Sequence, residues 1–410
     1  MTTLDPRFID PGYGSDVWFE GDLPRIVNEM SHRWAPHSRA PVHPLFSLLA
    51  CACVYALSAI GLSTLHAVAA LVGGGAAIWT VLLYLLLRTV TPSRTEAILF
   101  TAMGATTAGA LFWLTVPETY VFGSATMLAA LWVAALAERR TIPEAWFVAA
   151  SAATLAVTIS NWVAGIAATA SRWPWRRTLQ ITVNAFAVVV ALWALQRIVI
   201  PRADFFLGYS NEQRYLLRPE AGGPRRTLTV MLAHAIVMPP IATREKPNRG
   251  RVMSIQFAGL TAGGPARRAG LIAWCALLAI GLSGWLGSIR ISPFLRAVGA
   301  VAAAEVTLHV LYGTETFLYS LNLVPLLIVI AACGTRTRAR RVVGVLAAVL
   351  LVCGGVSNMR TWLDSRRYFV VTPVSPSVAP PDRQAGGWRG TPPSIQTVHG
   401  GGAVGRVPGQ

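Results

Sequence analysis

Apolar residues in this chain run in unbroken blocks and do not alternate with polar ones. Long blocks cover 44–62, 64–87, 96–116, 120–136, 178–200, 269–289, 293–312, 316–332 and 342–356, and two shorter ones cover 145–158 and 162–170. About 20 apolar residues suffice to cross a bilayer as a helix. Backbone groups in lipid must pair within the chain, which leaves helices or a closed barrel, and the lack of a period-two pattern excludes the barrel. The pattern therefore predicts an all-α, polytopic membrane bundle with about ten membrane-embedded helices. The two short blocks are expected to be broken or tilted helices meeting at Ser160-Asn161.

Polar stretches divide the chain further. Residues 1–43 form a polar loop with an acidic cluster, 44–200 a first transmembrane module, 201–268 a second polar loop and 269–357 a second module. The 201–268 loop is too long for a plain connector. It carries an apolar insert at 228–241, ended by Pro239-Pro240, which is expected to be a surface or re-entrant helix. Residues 358–410 are polar and rich in Pro and Gly, a composition that predicts disorder.

Arginine orients the bundle. The sharpest basic joints, RWPWRR at 172–177 and RTRARR at 336–341, together with Arg139-Arg140, belong in the cytoplasm. Glu118, the 201–268 loop and Glu315 then lie outside. Arg88 and Arg94 also ask to be inside, and counting back from them leaves 44–62 either incompletely inserted or reversed.

Composition agrees with this reading. Of 410 residues 54% are hydrophobic and only 13% charged, with a mean hydropathy of +0.51, which excludes a soluble globular protein. The formal charge of +17 resembles a nucleic-acid signal until the arginines are located in the joints between apolar blocks, so no nucleic-acid partner is expected. One lysine, Lys246, against many arginines points to a GC-rich bacterial genome. Cys51, Cys53, Cys275, Cys333 and Cys353 all fall in apolar blocks as small hydrophobes, with no zinc or disulfide spacing. The first 22 residues are acidic and turn-rich, without the apolar core of a signal peptide. The predicted location is the plasma membrane, crossed several times, with the lipid bilayer as surroundings.

Candidate chemistry begins at 16–45, DVWFEGDLPRIVNEMSHRWAPHSRAPVHPL, the one acid- and histidine-bearing segment that leads straight into the apolar array. Asp16, Glu20 and Asp22 stand within two helical turns, and carboxylates at a membrane face can take a proton from a hydroxyl or bind a cation. A solvated tail with a few acids is the alternative. On the predicted outer face these groups meet Glu118, Ser160-Asn161, the arginines of the long loop and Glu315. Inside one span Glu305, His309 and Tyr312 stand at i, i+4 and i+7, where ionisable groups face a cavity or each other.

An outer acidic residue (Asp22), then His43-Pro44-Leu45 opening a helix, a Pro-containing outer turn, and a later span running from Tyr319 to Pro325 resemble the GT-C superfamily of integral-membrane glycosyltransferases. The likeness is to the branch of protein mannosyltransferases and lipid A aminoarabinose transferases, and it covers about residues 16–332. It implies a GT-C-like fold and transfer of a sugar from a polyprenyl-phosphate donor to an acceptor hydroxyl on the outer face. Carried over by position, it makes Asp22 the activating carboxylate, with Asp16 and Glu20 as alternates. His43, Glu118, Asn161, Glu315 and Tyr319 become substrate-binding candidates, with Arg214, Arg218 and Arg225 meeting the phosphate. The chain departs from the family in lacking a helix before the acidic loop, which leads to the expectation of one more apolar helix encoded upstream. It also lacks a clean Asp-x-Asp, which leaves a divalent-metal requirement open. Two other classes stay in view: a transporter or flippase working through Glu305 and His309, and an inactive relative that keeps the fold without the site.

Overall fold

The computed structural model describes residues 4–11, 16–207, 211–246, 250–290 and 292–368. After the amphipathic α1 (Leu23–Ser31) come α2 (Phe46–Ala59), α3 (Thr64–Val90), α4 (Arg94–Ala105), α5 (Ala108–Trp113), α6 (Tyr120–Ala137), α7 (Glu144–Val157), α8 (Trp162–Ala170) and α9 (Trp175–Val199). The second polar loop holds α10 (Gly223–Thr229) and a hairpin of β1 (Ala242–Lys246) and β2 (Gly250–Ser254). Then follow α11 (Pro265–Ser288), α12 (Pro293–Leu311), α13 (Ser320–Ala332), α14 (Arg340–Val349) and α15 (Gly355–Ser365), the last two joined by a π turn at Leu350–Gly354. Among the described residues seven helical stretches are long and apolar enough to cross a membrane, the last being Arg340–Ser365. This reads as a membrane protein built of helices.

The central helix is α13, buried along its whole length. It carries Pro325, which has no N–H to give to the Leu321 carbonyl one turn back. The Ser124 hydroxyl of α6 donates to that carbonyl at 2.8 Å, and Trp79 Nε1 of α3 donates to Ser124 Oγ at 2.9 Å. Two neighbouring helices thus satisfy the group that the proline frees, as a dry interior demands. On another side α11 approaches backbone to backbone: a Cβ on Gly281 would meet Ala331 Cα, and one on Gly284 would meet the Cys333 carbonyl. Small residues at such crossings let helices pack without a hydrophobic driving force.

Helices α3 and α6 run parallel. Gly75 faces Val121 and Phe122 at the start of α6, Trp79 faces Ser124, and Arg139 just beyond α6 donates to the Thr89 carbonyl. The part of α3 before Gly75 therefore extends past the start of α6, where α2 and α1 pack on it through Phe46, Val54, Val68, Val72, Ile26 and Met30. With 14 residues α2 is short for a crossing.

The chain is mostly helical, with one β1–β2 hairpin added to the bundle. Three expectations are corrected. Instead of one helix at 228–241, helix α10 ends at Thr229, a π turn covers Val230–His234, and Ala235, Ile236, Val237 and Met238 form a buried turn that leads out of it. The block 96–116 is broken at Thr106-Thr107, where Ala108 and Gly109 donate to the Ile236 and Ala235 carbonyls at 3.1 and 2.8 Å. The last helix continues past 357 to Ser365 because Asn358 is a buried anchor: its Oδ1 accepts from Met238 N–H at 2.8 Å, and its Nδ2 donates to the Ile236 and Thr106 carbonyls at 2.8 and 2.9 Å. Residues 369–410, most of the expected tail, lie outside the described residues.

Candidate functional site

The turn at 16–22 closes one end of the bundle. Trp18 and Phe19 anchor it, both fully buried. Phe19 lies edge-on to Phe112 at 5.5 Å and to Phe317 at 5.0 Å, and Trp18 meets Phe8 at 5.1 Å. Phe19 and Glu20 hold left-handed φ values of 49° and 64°. Such strain costs about 1–3 kcal/mol per residue, which burial of two aromatic rings at about 1.5–3 kcal/mol each, plus their edge contacts, offsets. The anchored turn leaves Glu20 and Asp22 on the wall of a cleft shared with Arg25, Arg39, Glu212 and Arg214.

Charge in the cleft is arranged as a chain. Asp22 lies 3.2 Å from Arg25 Nη1 through one oxygen and 3.2 Å from Arg39 Nε through the other. The second contact is a close ion pair without an aligned hydrogen bond. Arg39 Nη1 donates to Glu212 Oε1 at 3.0 Å, and the Tyr312 hydroxyl donates to Glu212 Oε2. Burial works against the Arg39 charge, but Asp22 and Glu212 outweigh it and push its pKa up, so it stays a cation. Burial and the Glu212 carboxylate push the Tyr312 phenol up. Glu20 accepts from the Thr314 hydroxyl at 2.7 Å, and Glu315 from Ser254 at 2.5 Å.

Tyr120, Tyr215, Tyr312 and Tyr319 line the same cleft. Tyr319 stands 6.0 Å from Tyr120 and 5.9 Å from Tyr312, and Tyr215 stands 5.9 Å from Tyr312. The strip carrying Glu212 to Leu217 is sewn to the end of α12: Leu217 N–H donates to the Leu311 carbonyl at 2.7 Å and Gly313 N–H to that of Tyr215 at 3.0 Å.

Behind the cleft sits a supporting layer. Glu118 Oε1 accepts the Asp22 N–H at 2.5 Å and Oε2 that of Thr119 at 3.0 Å. Burial, then the Asp22 charge, raises the Glu118 pKa against these donors and Arg39. His43 has Nδ1 2.9 Å from the Val157 carbonyl and Nε2 3.3 Å from Thr119 Oγ1. Burial and then Arg39 push its pKa down to about 3, so the ring is neutral. A carbonyl only accepts, which places the proton on Nδ1 and leaves Nε2 to accept from Thr119. Glu29 accepts the Arg39 backbone N–H at 3.3 Å, and burial raises its pKa to about 7.

Of the residues singled out in the sequence, Asp22, Glu20, Arg214, Glu315 and Tyr319 line the cleft, with Glu118 and His43 directly behind Asp22. The others lie elsewhere. Asp16 is buried in the turn, its carbonyl taking the Glu20 N–H. Asn161 is buried deeper, its Oδ1 accepting from Asn322 at 3.2 Å. Arg218 turns back to the Arg214 carbonyl, and Arg225 is exposed on α10. Arg25, Arg39, Glu212, Tyr120 and Tyr215 were not anticipated, and Tyr312, singled out with Glu305 and His309 inside a span, instead stands on the cleft wall. Arg39 did offer one signal, a cation just ahead of the first apolar block, but nothing in the sequence pairs it with Glu212, 173 residues on.

One wall residue reaches into the bundle. The Tyr319 ring stacks on His309 at 4.1 Å and 10°, and His309 Nε2 lies 3.3 Å from Glu305 Oε2, both side chains buried. Among the described residues no group of three or more His, Cys, Asp and Glu side chains is gathered to hold a metal ion. No family model, curated protein or solved structure matches the chain.

Proposed function

We propose that the cleft transfers a sugar from a polyprenyl-phosphate donor to an acceptor hydroxyl on the outer face of the membrane, as a glycosyltransferase of GT-C type. The observation that carries this reading is Asp22, a carboxylate on the cleft wall flanked at 3.2 Å by the guanidiniums of Arg25 and Arg39. Displacement at an anomeric carbon needs a base in reach of the attacking hydroxyl and cations for the departing phosphate. Both are present within one cleft, with tyrosine rings on which a sugar can lie.

The cleft has a free volume of about 60 Å³, room for about two water molecules and far below the 300 Å³ or more of a ligand pocket. Arg39 lies across it, bridging Asp22 and Glu212. A phosphate matches the guanidinium fork as well as a carboxylate does. On arrival it takes Arg25 and Arg39, opens the bridges and releases Asp22. Asp22 then accepts the proton of the acceptor hydroxyl as the new glycosidic C–O bond forms, and the polyprenyl phosphate leaves with the electron pair of the bond that breaks.

The test is transfer from a radiolabelled polyprenyl-phosphate sugar in membranes carrying wild type or Asp22→Asn. Loss of a general base lowers the rate by about 10²–10⁴. Full transfer by Asp22→Asn overturns the reading. The buried Glu305–His309 pair favours a second reading, a carrier with its working groups in mid-span. Under that reading Glu305→Gln abolishes function and Asp22→Asn does not.

A further inference from the structure

At the end of the bundle opposite the cleft, a cavity of about 190 Å³ opens between the ends of α3 and α6, the start of α12 and the segment after α13. Four of the long apolar helical stretches begin or end there. Two guanidiniums converge on it. Arg336 donates to the Val90 carbonyl at 2.7 Å and to that of Thr89 at 2.9 Å, and Arg139 donates to Thr89 at 3.1 Å. These bonds cap α3, and the negative end of a helix dipole offsets about half a charge. Among the described residues neither arginine has a carboxylate partner. The one acid on the wall, Glu138, is spent elsewhere: it accepts from Phe294 N–H at 2.7 Å and from the Ser292 hydroxyl at 2.9 Å. Ala135, Phe294 and Leu295 give the same cavity an apolar side.

We propose that this cavity seats the phosphate of an anionic phospholipid, held by Arg139 and Arg336 with the glycerol against Phe294 and Leu295. The place is where apolar helix gives way to arginine, the depth of a phosphate in a bilayer. Basic pockets between helix ends are suited to such headgroups. This site stands apart from the cleft and does not depend on what the cleft does.

The test reconstitutes the full chain in phosphatidylcholine vesicles doped with phosphatidylglycerol and counts retained lipid by native mass spectrometry. Wild type is expected to enrich phosphatidylglycerol roughly 30-fold, what two guanidiniums near a surface supply. Arg139→Gln with Arg336→Gln removes the enrichment. Arg139→Gln alone leaves the Arg336 caps on α3 intact and lowers enrichment about fivefold, so the test survives a double variant that fails to fold. Arg172→Gln with Arg176→Gln, the same charge removed outside the cavity, changes nothing. Equal losses in the control pair, unchanged enrichment in Arg139→Gln, or displacement of the lipid by inorganic phosphate would each overturn the proposal, the last by making this a site for free anions.

Discussion

The backbone N–H of Asp22 donates to Glu118 Oε1 at 2.5 Å, tying the first loop to the turn before α6. The bond holds the Asp22 backbone while leaving its carboxylate to the arginines. Glu118→Ala removes the acceptor for two buried N–H groups, each costing about 1–3 kcal/mol. A lower melting temperature and slower transfer are expected together. Glu118→Gln keeps one acceptor oxygen and is expected to recover more than half of each. Wild-type behaviour of Glu118→Ala in both measurements would remove Glu118 from the support of the site.

Arg39→Lys keeps the charge but not the fork that reaches both Asp22 and Glu212. If a donor phosphate sits on Arg39, the KM for the donor rises with this variant. Asp22→Asn lowers kcat, and because it removes the carboxylate that holds Arg25 and Arg39 it leaves the donor KM unchanged or lower. Steady-state transfer kinetics separate the two, and an unchanged KM in Arg39→Lys places the phosphate elsewhere.

Burial lifts the Glu29 pKa from 4.5 to about 7. The folded chain then binds this proton more tightly than the unfolded one. The stabilisation is complete below pH 4.5 and is lost as the pH rises through about 7. Glu29→Gln stays neutral throughout and keeps an oxygen for the Arg39 N–H. Its stability relative to wild type is expected to rise across that window by at most about 3 kcal/mol. Denaturation at matched pH values checks this, and a constant difference from pH 4.5 to 8 rejects it. His43, pushed down to about 3, acts in the opposite direction, losing its contribution as the pH falls below 6.5.

Gly281→Ala places a methyl on the backbone of Ala331, which cannot move without shifting α13. A loss of about 1–3 kcal/mol is expected from such overpacking. Gly287→Ala, on the same helix, meets nothing within 4 Å and is expected to be neutral or slightly stabilising. Thermal unfolding in one detergent compares them; equal effects would show that the α11–α13 approach is not tight.

The spans were legible because lipid imposes a one-dimensional rule, long apolar blocks, that needs no partner. The break between α7 and α8 was legible too, since each block is too short to cross alone. The break between α4 and α5 was hidden, because the chain that fills it comes from Ala235 and Ile236, and hydropathy carries no pairing information. The same limit hid half of the cleft. Asp22 was marked by its place in an acidic loop, whereas Glu212 and Tyr312 become site residues only when the 211–217 strip folds onto α12. The hairpin went unread because its two short runs, 242–246 and 250–254, are outweighed by the apolar blocks around them.

Asn358 ties the break at Thr106 to the buried turn at Ile236 and Met238. A ribosome reaches Asn358 252 residues after Thr106, on the order of tens of seconds later. Through that interval the Thr106 carbonyl waits in a partly assembled bundle, and an open backbone group in lipid costs several kcal/mol. The early helices must therefore be held, by the insertion machinery or by water, in an arrangement that α15 locks through Asn358. Damage near Asn358 would then show first as degraded nascent protein and only afterwards as a defective mature one.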